Sequence, residues 1–85
     1  MKIILRILLA RPDKLKSIKR VLKKHGVRVE EKNFIPTKRK DVSWGRISIP
    51  SSEKERIISD LVKIEAELMS KKPKEIFMIF PYEGY

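Results

Sequence analysis

Apolar and polar positions alternate from the start of the chain. Ile3, Leu5, Ile7 and Leu9 fall on one side and Lys2, Ile4, Arg6 and Leu8 on the other, which predicts a strand over residues 2–9. Pro12 suits the first turn of a helix, and Asp13 places negative charge at its positive end. Leu15, Ile18, Val21 and Leu22 then recur at helical spacing, and Gly26 after His25 is a natural stop. Val27 to Ile35 reads as a second strand, whose Arg28, Glu30 and Lys32 suit an edge. Pro36 to Asp41 is a turn, and Val42 to Ile49 a third strand ending at Pro50. Ser52 with Glu55 three residues on is a capping-box signature for a second helix. That helix is expected to run to about Ser70, with Ile57, Ile58, Leu61, Val62, Ile64, Leu68 and Met69 on its apolar side. Pro73 bounds the next turn, and Glu75 to Phe80 reads as a short strand buried on both sides.

The order is β-α-β-β-α-β. Two crossovers of the same right-handed kind set the first and third strands side by side in the centre. The expected fold is therefore α+β and ferredoxin-like, a four-stranded antiparallel sheet with both helices on one face. The chain reads as one domain over residues 1–85, with no linker, repeat or low-complexity segment; a flexible tail could begin as early as residue 79. The helix-free face is left open. It would carry Ile4, Arg6 and Leu8 from the first strand and, with Ile47 and Ile49 turned inward, Trp44 and Arg46 from the third.

Charge sharpens this picture. The formal net charge is +10, and residues 1–46 hold 15 Lys or Arg against 4 acids, so the whole excess lies in the first half. A lopsided charge points to a positive face. At 100° per residue Lys16, Lys19, Arg20, Lys23 and Lys24 gather opposite the apolar stripe of the first helix, and Lys38, Arg39 and Lys40 sit at a hairpin tip. Such cations can grip phosphate, although charge runs are often simply solvated. Trp44 between Arg6 and Arg46 can be a stacking platform for a base, or the anchor of a homodimer formed by two open faces, and the two readings can coexist.

Composition removes other classes. There is no cysteine, hence no disulfide, thiol catalysis or zinc-finger chemistry. One histidine and no Gly-rich phosphate loop leave no metal or cofactor motif, and no apolar run approaches a membrane span or a signal peptide. The expected compartment is the cytoplasm. The chain has no Gln and one Asn, with abundant Lys, Glu and Ile, a balance reported for heat-adapted proteins. His25 reads as a partly buried cap rather than a catalytic base, and Glu65, inside the apolar stripe of the second helix, needs a cationic partner, water or an exposed overhang. No second acid is placed to pair with Glu65 for acid–base work. Tyr82 and Tyr85 either fold back on the open face or fray.

Ala10-Arg11-Pro12-Asp13-Lys14-Leu15, followed by Ile18, Leu22 and Gly26-Val27-Arg28-Val29, resembles the opening half of ACT domains over about residues 1–35. The resemblance implies a ferredoxin-like regulatory module binding amino acids at dimer interfaces; Ala10 and Asp13 stand where that family has an acid and a glycine. Trp44-Gly45-Arg46-Ile47 is loosely similar to the third-strand motif of RNA-recognition domains, whose aromatics stack bases. Size and basicity are similar to small CRISPR-associated ferredoxin-like nucleases, but Leu9 and Ala10 occupy the place of their metal-binding Asp. The expected function is a non-enzymatic, cofactor-free module, a homodimer through the open sheet face, that binds RNA or single-stranded DNA through Lys16, Lys19, Arg20, Lys23, Lys24, Lys38, Arg39 and Lys40, with Arg6, Trp44 and Arg46 on the sheet. The alternative is an ACT-like regulatory or protein-interaction dimer.

Overall fold

The structure, a computed structural model, describes residues 1–69 and 74–80. Strand β1 (Lys2–Leu9) lies at the centre of a five-stranded sheet. It pairs antiparallel with β3 (Ser43–Pro50) on one side and parallel with β5 (Glu75–Phe80) on the other. Short edge strands complete the order β2-β3-β1-β5-β4, with β2 (Phe34–Pro36) beside β3 and β4 (Glu67–Leu68) beside β5. Helices α1 (Leu15–Lys24) and α2 (Lys54–Lys63) are each introduced by a three-residue 3-10 turn.

The core follows from the alternation. Ile3, Leu5, Ile7 and Leu9 of β1, Ile47 and Ile49 of β3, and Ile76, Met78 and Phe80 of β5 are buried with Ile18 and Leu22 of α1 and Ile57 and Leu61 of α2. Both helices thus cover one face of the sheet, as expected. Gly45 of β3 is set by this packing too. A Cβ there would meet the Phe34 ring of β2 at 2.5 Å, so the ring lies directly on the bare backbone.

The sheet differs from the expected four antiparallel strands. The second helix stops at Lys63, not near Ser70, because Glu65 enters the left-handed region (φ 78°). The Ala66 amide then bonds the Leu61 carbonyl (3.1 Å) and the Glu65 amide the Val62 carbonyl (3.1 Å), closing the helix end. The residues released form β4, parallel to β3 in the sense of the sheet. Strand β5 returns antiparallel to β4 and takes the place between β4 and β1, so it runs parallel to β1. Ile79 and Phe80, from which a tail could have begun, belong to β5. Residues 81–85, with Tyr82 and Tyr85, lie outside the described residues, as do Ser70 and Pro73.

The second strand is also shorter than Val27 to Ile35. Residues 31–33 form a 3-10 turn in which the Glu30 amide donates to Asn33 Oδ1 at 2.8 Å, and only Phe34–Pro36 pairs with β3. A local side-chain acceptor has taken an amide that a longer ladder would have used. The expected Ser52–Glu55 capping box is likewise replaced by a 3-10 turn over Ser51–Glu53, with Glu53 as the residue preceding α2 and no side-chain cap.

Candidate functional site

The open face of the sheet is ordered in rows by the strand register. One row crosses all five strands: Ile35, Trp44, Leu8, Ile79 and Glu67. The next holds Arg46, Arg6 and Phe77, and a third Ser48, Ile4 and Glu75. Trp44, 40% exposed, meets Phe77 edge to face with ring centroids 5.9 Å apart. Arg6 lies 5.7 Å from the centroid of the Phe77 ring, and its Nε is 2.7 Å from Glu75 Oε1. Its charge is therefore answered within the sheet, whereas Arg46 carries no ion pair among the described residues. The expected outward set of Ile4, Arg6, Leu8, Trp44 and Arg46 is found where the alternation put it. Phe77, Ile79 and Glu67 join it, and the first two were legible only as members of a strand apolar on both sides.

The cations of α1 lie on the other side of the molecule. Ile18 and Leu22 press the helix onto the sheet, so Lys16, Arg20, Lys23 and Lys24 point away from it and are exposed. Helix and sheet separate them from Trp44. Lys19 is half-buried, 4.0 Å from Glu31, and Lys24 Nζ stands 3.5 Å from Asp60. Lys16, Arg20 and Lys23 carry no ion pair among the described residues. A groove of about 520 Å³ runs beside the helix, lined by Lys19, Lys23, Gly26, Val27, Arg28 and Val29.

The β2–β3 loop, which carries Lys38, Arg39 and Lys40, brings the last two across a cavity from the beginning of α1. Thr37 Oγ1 accepts the Arg39 amide (3.2 Å) and donates to the Val42 carbonyl (3.0 Å), and Asp41 turns the chain at φ 62°. All three cations are exposed. A cavity of about 370 Å³ lies between this loop and the helix, lined by Leu9, Pro12 and Leu15 on one wall and Arg39 and Lys40 on the other. The hairpin tip thus adjoins the first turn of α1, while Arg6, Trp44 and Arg46 belong to the helix-free face of the sheet.

Two polar clasps join the helices. At one end His25 is flanked by Asp60 Oδ2, 2.7 Å from Nε2, and Glu53 Oε1, 3.4 Å from Nδ1. The hydrogen bond from His25, then the neighbouring Lys24 charge, hold the Asp60 carboxyl below its usual range against partial desolvation. At the other end Glu65 pairs with Lys14 (3.3 Å) and Arg11, which also meets Asp13 at 3.4 Å. Lys14, followed by Arg11, lowers the Glu65 carboxyl. His25 is the partly buried cap of α1 that its position suggested, and Glu65 has the cationic partners it needed. Glu53 and Asp60 as the partners of His25 were not legible, since nothing along the chain signals a contact between helices 35 residues apart.

Among the described residues no three His, Cys, Asp or Glu side chains come together to hold a metal ion, and no helix is long and apolar enough to cross a membrane. Comparison with family models, with curated proteins and with solved structures finds no match. The surface itself therefore carries the functional argument.

Proposed function

We propose that this chain is a small non-enzymatic module that binds nucleic acid, RNA or single-stranded DNA, through the outer face of α1 and the adjoining hairpin tip. The observation that carries the reading is a group of five cations on that surface, Lys16, Arg20, Lys23, Lys38 and Arg39, with no ion pair among the described residues. A cation answered by a carboxylate gains little from phosphate, and these five have nothing to give up. The grooves beside α1, with Leu15, Val27 and Val29 in their walls, offer apolar surface to unpaired bases that a closed duplex would not fill. Arg6, paired with Glu75, contributes less than its position in the sequence suggested. The supporting frame reads as a ferredoxin-like arrangement widened by β5, and a cysteine-free chain fits the cytoplasm.

Fluorescence anisotropy with labelled single-stranded RNA and with duplex DNA, at several salt concentrations, tests this. Five phosphate contacts on a single strand give a slope of log K against log salt of roughly −3.5, and reversing Lys16, Arg20 and Lys23 to Glu removes at least roughly 2 of it. Trp44→Ser leaves the slope unchanged. Absence of binding at low salt, or binding indifferent to salt, overturns the reading.

A further inference from the structure

We infer that the open sheet face is covered by a second copy of this chain, packed sheet on sheet about a two-fold axis that runs along β1. The face is too apolar to be left in water: Ile35, Trp44, Leu8 and Ile79 form an unbroken row across four strands, and Ile35 is 65% exposed. Five positions in the first row and three in each of the other two, at about 4.8 Å between strands and about 6.8 Å between rows, give a flat footprint of roughly 360 Å² per copy. Accessible area exceeds flat area, so the pair comes to roughly 1,000 Å² in total, the low end of specific interfaces.

Charge chooses the axis. Arg46, with no ion pair among the described residues, lies toward the β2 edge, while Glu75 and Glu67 lie toward the β4 edge. A two-fold axis along β1 exchanges the two edges. Trp44 then faces Ile79 of the second copy, Leu8 faces its own counterpart, Ile35 faces Glu67, and Arg46 lies over Phe77 with the acids on either side. The two Arg6 side chains meet near the axis, each already answered by its own Glu75. An axis across the strands would set Arg46 against Arg46 with no acid between them, which like-charge repulsion disfavours. The inference does not depend on nucleic-acid binding. Both cationic helix faces stay on the outside of the pair.

Sedimentation velocity of the full chain from about 1 to 200 μM reads the association, and the emission of the single Trp44 follows it on dilution. The expected result is a dimer in this range with a blue-shifted Trp44. Ile35→Glu, set against Glu67 of the second copy, weakens association at least about tenfold, whereas Ile35→Lys does not. Adding Glu67→Lys to Ile35→Glu restores it. Both positions are exposed in the single chain, and far-UV circular dichroism confirms that the variants fold. A monomer at all concentrations overturns the inference. So does a dimer indifferent to Ile35→Glu, or one weakened equally by Glu and Lys.

Discussion

Helices α1 and α2 are two versions of one unit, and they differ most at their ends. Each has ten residues, follows a 3-10 turn, and buries an Ile and a Leu four positions apart, Ile18 with Leu22 and Ile57 with Leu61. Each closes with the same pair of backbone bonds, Val27 to Leu22 (2.8 Å) and Gly26 to Lys23 (3.0 Å) in α1, Ala66 to Leu61 and Glu65 to Val62 in α2. The left-handed residue that allows this closure is Gly26 (φ 77°) in the first and Glu65 (φ 78°) in the second. Glycine adopts that conformation without steric cost, so the first end can be read from the sequence. A glutamate there announces nothing. It is held by Lys14 and Arg11 from the other helix's approach, and by the burial of Ala66 just beyond it.

The comparison can be tested in order of expected effect. Leu22→Ala and Leu61→Ala each remove a fully buried side chain from one core, and each should cost about 2–5 kcal/mol in urea denaturation. If the two halves are equivalent the losses agree within about 1 kcal/mol, and a larger gap shows that one helix carries the core. Gly26→Ala follows. Nothing lies within 4 Å of an added Cβ, so the loss of roughly 1 kcal/mol is purely that of a left-handed backbone. Glu65→Gly should move the urea midpoint by less, and upward if relief of the backbone exceeds the lost pairing with Lys14 and Arg11. A clear fall would show that the ion pairs, not the conformation, fix the end of α2.

Acid should have the smallest effect. The carboxyls of Asp60 and Glu65, one in each clasp, titrate below their ordinary values of 3.8 and 4.5 because the native state favours their charged forms. The unfolded chain binds protons first as pH falls, so their stabilisation is complete above those ordinary values and is lost as pH drops through the lowered ones. Thermal melts should therefore be flat in this respect above about pH 5 and decline below about pH 4. Asp60→Asn should remove part of that decline, and an unchanged acid limb would show that the His25 clasp does not bear on stability.

Several parts of the molecule were legible for a simple reason. Strand β1 was bounded at Lys2 and Leu9 because alternation over eight residues admits one pleat, and the same parity put Trp44 and Arg46 on the open face. The five cations of α1 were placed by helical periodicity and a glycine stop. The candidate surface was thus visible as a set of residues. Which of its cations are answered by carboxylates was not. Arg6 and Lys16 are equally basic along the chain, yet one is answered by Glu75 from a strand 69 residues away while the other faces solvent.

Local order can be read along this chain: periods of two and 3.6, a glycine at a helix end, a cationic first half. Those signals act within a few residues, where sterics and hydrogen bonding are decided by neighbours along the chain. Long-range packing settles where α2 ends, that β5 slips between β1 and β4, and which charges are answered. Each of those depends on groups distant in sequence, Arg11 and Lys14 on Glu65, β4 on β5, Glu75 on Arg6, whose meeting is set by the packing of the whole core.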